Sequence, residues 1–133
     1  MTIQAPEAFT WQEAPPVLPR GARMAVLKGD PSREGLFILR LKAPDNYQIM
    51  PHWHPAYENV TVLAGKVHFG MGDTFSKTGG SAVGVGGFVS MPPGMRHYAW
   101  TEGETELELV GYGPWQLYYV NPKDDPRQAA APK

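Results

Sequence analysis

Three of the four histidines lie in two short segments whose residue types could hold a metal ion. In the first segment, His52 and His54 are two residues apart, and Glu58 follows shortly after. Side chains at positions i and i+2 of a β-strand project to the same face, so both imidazoles can reach one point. Glu58 can add a carboxylate after a bend at Pro55. In the second segment, a Pro-Gly turn reverses the chain and places His97 just after it. The imidazole and carboxylate groups of these residues are possible metal ligands.

The ligand types restrict the choice of metal. Imidazole and carboxylate together suit Fe(II), Mn(II), Ni(II), Co(II) or Zn(II), whereas Mg²⁺ and Ca²⁺ prefer all-oxygen shells. If all four residues bound one metal in an octahedral shell, two adjacent positions would remain open. Water, dioxygen or two oxygens of a chelating substrate could occupy those positions, and the metal could then polarise a carbonyl or enol.

The two segments resemble the two signature motifs of the cupin superfamily. The first continues to Gly65, and the second runs from Gly86 through a Pro-Pro-Gly turn at 92–94 to His97. With the flanking strands, the resemblance covers about residues 24 to 120.

Two positions depart from the motifs. Asn46 stands where the first motif usually opens with glycine, and Thr101 stands where the second usually closes with asparagine. Both are turn positions or positions beside the ligands, so the departures concern the local loop geometry.

The resemblance implies a jelly-roll-like β-barrel of two packed antiparallel sheets. It also implies that His52, His54, Glu58 and His97 point into the barrel and bind one divalent metal, with Fe(II) favoured. Glu58 could instead turn away from the metal and act as a general acid or base. We expect a pocket beside the metal that is lined by Met50, Tyr57, Met91, Tyr98 and Trp100. Arg40 or Arg96 could be further polar groups, but Arg96 directly precedes His97 and is expected to face the other way.

The rest of the chain fits an all-β fold. Its 15 Gly and 14 Pro among 133 residues separate short apolar segments by about 8–12 residues, which is typical of sandwiches and barrels. A tight turn at Ala64 and Gly65 and a loop at 78–87 are predicted within this pattern. The predicted strands are 24–27, 36–41, 59–63, 66–71, 88–91, 105–110 and 116–120.

Three parts of one domain follow from this pattern. An extended N-terminal arm is predicted for residues 1–22, which contain several prolines. The barrel is predicted for residues 23–120 and a flexible tail for residues 121–133. An open sheet edge together with an arm predicts a homodimer.

Composition excludes several classes of protein. The net charge is −1, and there is no basic run, so we do not expect nucleic acid or a membrane surface as a partner. The expected partner is a small molecule. No apolar run approaches the roughly 20 residues of a membrane span, and we expect a cytoplasmic protein. The absence of cysteine excludes disulfides, thiolate metal ligands and thiol nucleophiles.

Other residues that could do chemistry have simpler explanations. His68 shares the outward face of its predicted strand with Lys66, so we expect it to be no ligand. The glycines of 79–87 lack the following Lys-Ser/Thr of a phosphate-binding loop. Glutamates at every second position of 102–108 indicate a solvated strand face.

The leading functional hypothesis is a metal-dependent enzyme that acts on a small organic molecule. Among small cupins, an Fe(II) dioxygenase that cleaves a carbon–carbon bond or a diketone is the favoured type. A non-redox metal isomerase or lyase is the alternative enzyme, with Glu58 or a tyrosine as acid or base. A non-catalytic cupin that only binds a small molecule is the third possibility, because one fold hosts many functions.

Overall fold

A computed structural model of the chain describes residues 1–129. The described part is built of strands with a few short helical turns, so the prediction of an all-β protein is confirmed. The strands are β1 (Gln12–Glu13), β2 (Arg23–Lys28), β3 (Gly35–Ala43), β4 (Gln48–Trp53), β5 (Glu58–Met71), β6 (Ser81–Val83), β7 (Phe88–Met91), β8 (His97–Gly113) and β9 (Tyr118–Tyr119). Helical turns cover Pro6–Ala8, Pro122–Asp124 and Pro126–Ala129.

The two longest strands, β5 and β8, form the central antiparallel pair. The first part of β8 also pairs with β4, and its later part pairs with β3. Strands β1, β2, β3 and β7 therefore extend one end of the central pair, and β4, β6 and β9 extend the other. The curled antiparallel sheets form the barrel that the motifs imply.

The central pair bends where the sequence predicted a tight turn. At Ala64 and Gly65 the chain does not reverse: β5 continues, and its register against β8 shifts on both sides of Ala64. Gly65 has a φ of 76°, and a Cβ there would lie 2.3 Å from the carbonyl oxygen of Glu104. Only glycine fits such a site without strain. The predicted turn is thus a bulge that curves the sheet.

The barrel interior is apolar. Along β3, Phe37, Leu39 and Leu41 are buried, while Arg40 and Lys42 alternate with them on the outer face. Val60 and Val62 of β5 are equally buried. This period of two is what the sequence pattern predicted, and it directs alternate residues of each strand toward the centre of the barrel.

The predicted arm and tail contain more regular structure than their composition suggested. Within residues 1–22, β1 pairs with β2, and the Tyr119 hydroxyl donates to the Val17 carbonyl at 2.6 Å. Residues 122–129 form two helical turns, and the last four residues of the tail lie outside the described part. The loop predicted at 78–87 includes β6, and the last predicted strand is reduced to β9. None of the helices among residues 1–129 is long and apolar enough to cross a membrane.

Candidate metal centre

Three histidines meet at one point inside the barrel. His52 belongs to β4, His54 follows the end of that strand, and His97 is the first residue of β8 and pairs with His52 in register. All three are buried, with relative exposures of 3%, 5% and 4% respectively. One nitrogen from each ring lies within 4.8 Å of the other two, so the three residues could hold a metal ion.

A tight turn brings the two motifs together. Gly94, with a φ of 78°, lies in the Pro-Pro-Gly turn before β8, and its N–H donates to the His54 carbonyl at 2.9 Å. The Met95 N–H closes the same turn on the Pro92 carbonyl at 3.2 Å. The turn that precedes His97 is therefore bonded to the main chain of the first motif, which helps to fix the spacing between the ligands.

Backbone carbonyls orient each imidazole. The Nδ1 atoms lie at hydrogen-bond distance from the oxygens of Met50 for His52 (2.7 Å), Gln116 for His54 (2.8 Å) and Met95 for His97 (3.0 Å). Because a carbonyl oxygen only accepts, each Nδ1 carries the proton, and each Nε2 keeps a free lone pair. Such partners set the tautomer of metal-ligating histidines.

The environment also favours the neutral form of two of these rings. Burial lowers the pKa of His52 well below its ordinary value, and the neighbouring His97 and His54 lower it further. Burial likewise lowers the pKa of His97. Neutral imidazole is the form that binds a metal, so these shifts prepare the rings for ligation.

One ligand atom has no partner among the described residues. His54 Nε2 is buried and accepts no hydrogen bond, because its polar neighbour, the Glu58 carboxylate oxygen Oε2 at 3.3 Å, is itself an acceptor. Leaving a buried polar atom unsatisfied costs about 1–3 kcal/mol. A metal ion bound at Nε2 would satisfy it, so the donor set fits a metal centre.

Glu58 lies beside the three histidines and outside the group whose ligand atoms are all in mutual reach. Its carboxylate is largely buried at the start of β5, and Oε2 accepts a hydrogen bond from Trp115 Nε1 at 3.0 Å. Of the four ligands that the sequence predicted, the structure thus brings three together and places the fourth at the edge of the site.

An apolar cavity opens next to the histidines. It leaves about 50 Å³ for the centres of water molecules, which is room for a few waters. Its wall includes Leu18, Leu41, Tyr47, Val60, Phe69, Trp100, Thr101, Leu107, Trp115 and Leu117. The arm thus contributes a wall residue, Leu18, to a cavity otherwise built from the strands, the loop at 44–47 and the segment before β9.

The two hydroxyl groups in the wall are already engaged. The Tyr47 hydroxyl donates to the Pro19 carbonyl, and burial raises the pKa of this tyrosine, so it stays protonated. The Thr101 hydroxyl donates to the Pro44 carbonyl at 2.7 Å and accepts from the Tyr47 N–H at 2.8 Å. Thr101, a residue of β8 rather than of a turn, therefore joins the loop at 44–47 to the barrel. The cavity favours an apolar ligand.

The predicted pocket differs from this cavity. Only one of its five predicted residues, Trp100, borders the cavity. Tyr57 is 58% exposed, and Met91 is packed in the hydrophobic core. Tyr98 follows His97 on β8, so it projects to the opposite face, where it covers Gly70. Met50 is partly buried, and its carbonyl, rather than its side chain, serves the site.

The two predicted arginines also lie away from the cavity. Arg40 projects outward and pairs with Glu108 at 3.2 Å and with Glu106 at 3.8 Å. Arg96 pairs with Asp73 at 2.9 Å on the surface. The glutamates at 106 and 108 are therefore members of an ion-pair network rather than simply solvated.

His68 lies apart from the three clustered histidines. Its ring stacks on Trp100 with the ring centres 3.9 Å apart, and its Nε2 lies 2.9 Å from Glu102 Oε1. The hydrogen bond from His68 lowers the pKa of the Glu102 carboxyl, and the nearby Lys66 adds to that effect. This pair has no contact with the metal centre among the described atoms.

Sequence reasoning missed Trp115 and Gln116. The indole N–H of Trp115 is bonded to Glu58, and the Gln116 carbonyl orients His54. Both lie in the short connection between β8 and β9, outside the two motifs, and Gln116 belongs to a predicted strand of which only β9 forms. The only available signal was the tryptophan itself, because a buried indole N–H needs an acceptor.

No family model and no curated protein sequence matches this chain. Solved structures do match it. The polyketide cyclase RemF from Streptomyces resistomycificus has a TM-score of 0.78 at 17% identity, and the match covers 96% of this chain and 91% of that one.

Two further solved structures agree with that match. A sugar phosphate isomerase of the cupin superfamily from Silicibacter pomeroyi has a TM-score of 0.68 at 13% identity, covering 90% of this chain and 82% of that one. An RmlC-like cupin from Shewanella frigidimarina has a TM-score of 0.65 at 14% identity, covering 84% and 90%. At such identities the likeness shows the fold: this chain has the cupin fold, as its motifs predicted.

Proposed function

We propose that this protein of cupin fold is a metal-dependent enzyme that acts on a small, largely apolar organic molecule bearing oxygen donors. The observation that carries the proposal is the convergence of three buried imidazoles beside an apolar cavity, with His54 Nε2 left unpartnered. The reaction class that we favour is non-redox, a cyclisation or isomerisation that moves a proton next to a carbonyl.

His52, His54 and His97 would hold the metal through their Nε2 atoms. Imidazole ligands suit Zn, Fe, Ni and Cu, and Co(II) and Mn(II) also fit a mixed nitrogen and oxygen site. When bound, a divalent metal supplies Lewis acidity toward a carbonyl or enolate oxygen. Three neutral ligands leave the full dipositive charge in place, which strengthens that effect relative to a set that includes a carboxylate.

Glu58 would exchange the proton in this reaction. Its carboxylate is largely buried beside His54 and is held by the Trp115 indole N–H, so it is oriented before substrate arrives. The apolar walls would exclude water and receive the hydrocarbon part of the substrate. The small volume of the cavity, about 50 Å³, favours a small group such as a diketone.

Two of the compared structures favour the non-redox class, whereas an oxalate oxidase with a TM-score of 0.58 over 82% of this chain favours a redox reaction. A match over nearly the whole length of both chains is to a polyketide cyclase, and another is to a sugar phosphate isomerase. Both names denote reactions without net oxidation of the substrate. The apolar cavity of this chain fits a polyketone better than it fits a sugar phosphate, because no arginine or lysine is among its wall residues in the described part.

An Fe(II) dioxygenase that cleaves a carbon–carbon bond or a diketone is the second candidate. It is favoured by the three-histidine ligand set, because imidazole suits iron and the remaining coordination positions stay open to dioxygen and substrate. The same apolar cavity would receive a diketone.

One experiment separates these candidates. The protein is stripped of metal, reloaded with Zn(II), Co(II), Ni(II), Mn(II) or Fe(II), and assayed with polyketones, diketones and phenolic acids under air and under nitrogen. Turnover that persists under nitrogen and in the Zn(II) form supports the non-redox reaction. Turnover that needs Fe(II) and consumes oxygen supports the dioxygenase, and failure to bind any metal contradicts both.

A further inference from the structure

The connection between β8 and β9 supplies three successive groups to the metal centre. Trp115 donates its indole N–H to Glu58 Oε2 at 3.0 Å, and the Gln116 carbonyl lies 2.8 Å from His54 Nδ1. Leu117, which is 3% exposed, forms part of the cavity wall. Three adjacent residues thus contact the Glu58 carboxylate, the His54 imidazole and the apolar cavity.

This connection is firmly held. The Trp115 backbone N–H donates to the Pro31 carbonyl at 2.6 Å, and the indole packs against Phe37 with ring centres 6.1 Å apart. Just before it, Gly113 lies so close to Arg33 that a Cβ would be 1.9 Å from its carbonyl oxygen. The direction of the indole N–H is therefore set by the 31–33 turn and by the core.

The Glu58 carboxylate can lie in either of two positions, bonded to the Trp115 indole N–H or close to a metal held by the histidines. Glu58 Oε2 lies 3.3 Å from His54 Nε2, near enough for a small side-chain rotation to bring it toward a metal held by the histidines. As the chain stands, however, its oxygens are outside the group of mutually reachable ligand atoms. The hydrogen bond from Trp115 is made to the same oxygen that would approach the metal.

We propose that Trp115 is a positioning residue that holds the Glu58 carboxylate outside the coordination shell of the metal. The ligand set is then three histidines, and the carboxylate stays available to exchange a proton with the substrate. This inference rests on the proposed metal site. Without the indole N–H, the carboxylate rotates onto the metal, which gains a ligand and loses an open position.

The test uses Co(II), whose visible absorption reports the number and type of its ligands. Four forms of the full chain are loaded with Co(II): the wild type, Glu58→Gln, Trp115→Phe and the double variant. Trp11→Phe, in the arm, is the control for loss of an indole. Affinity alone does not discriminate, because a nearby negative charge attracts a dication whether or not it is a ligand.

We expect the wild type, Glu58→Gln and Trp11→Phe to share one Co(II) spectrum. Trp115→Phe should show a changed spectrum with weaker absorption, as expected when a ligand is added, and the double variant should return to the wild-type spectrum. The Trp115→Phe variant should also bind Co(II) about tenfold more tightly than the wild type, which is within the range over which residues around a metal alter its binding.

Two results would overturn the inference. A Glu58→Gln spectrum that differs from wild type would make Glu58 a ligand already, and a folded Trp115→Phe protein with the wild-type spectrum would remove the role of the indole. If Trp115→Phe does not fold, Trp115→Leu, which also lacks a donor, replaces it. Wild-type protein that binds no Co(II) contradicts the proposed metal site instead, so the two failures are distinguishable.

Discussion

Metal addition should stabilise the wild-type protein and should hardly stabilise a His54→Ala variant. The three ligating nitrogens are assembled only in the folded chain, so a metal bound there shifts the folding equilibrium by mass action. His54 is the most informative position, because its Nε2 is the buried atom without a partner among the described residues.

The size of the effect follows from linkage. A free metal concentration 100 times the dissociation constant contributes about 2.7 kcal/mol to the free energy of unfolding. For 133 residues, an unfolding entropy of about 2.1 cal/mol/K per residue is roughly 0.28 kcal/mol/K, so Tm should rise by roughly 10 °C. If loss of one ligand weakens binding about 100-fold, the same concentration contributes only about 0.4 kcal/mol, or between 1 and 2 °C.

The metal-free proteins provide the necessary baseline. Removing His54 eliminates an unsatisfied nitrogen but also breaks the bond to the Gln116 carbonyl and leaves a small cavity, so these contributions oppose one another. The readout is therefore the metal-induced change in Tm within each protein. Thermal unfolding followed by circular dichroism, with a titration of Zn(II) or Co(II), measures it.

His68→Ala is the matched control, since this histidine pairs with Glu102 away from the cluster. It should retain the full metal-induced shift. A His54→Ala protein that is stabilised as strongly as wild type, or a His68→Ala protein that loses the shift, would refute the reasoning, because either result would move the metal away from the three-histidine cluster.

Three other predictions concern the barrel that carries the site. Gly65→Ala should lower the free energy of unfolding by about 1–3 kcal/mol or more, because the positive φ of Gly65 and its close approach to a β8 carbonyl exclude a Cβ. Gly84→Ala is the control, since Gly84 has open space around it, and urea denaturation should show a much smaller change in its free energy of unfolding. Thr101→Val should lower the free energy of unfolding by about 1–3 kcal/mol in the same assay, because it loses two hydrogen bonds to the loop at 44–47. Thr61→Val, on the partly exposed outer face, is the control and should change the free energy of unfolding much less. We also expect a homodimer, and a purely monomeric sedimentation profile at micromolar concentration would contradict it.

Sequence alone determined the type of fold and three members of the candidate site. Alternating apolar residues have a period of two that is set by strand geometry, and turn residues have local backbone preferences, so neither signal needs a partner elsewhere in the chain. The i, i+2 spacing of His52 and His54 is equally local, and the motif resemblance supplied His97. The fold and the meeting of these rings accordingly agree with the pattern.

Only the tertiary structure decided what surrounds the histidines. Glu58 and Trp115 are 57 residues apart, and His54 meets the Gln116 carbonyl across 62 residues. Such pairs depend on strand register and on the path of a connection without periodicity, which composition and spacing do not encode. The same holds for Gly65, where the structure has a bulge that curves the sheet instead of the predicted turn.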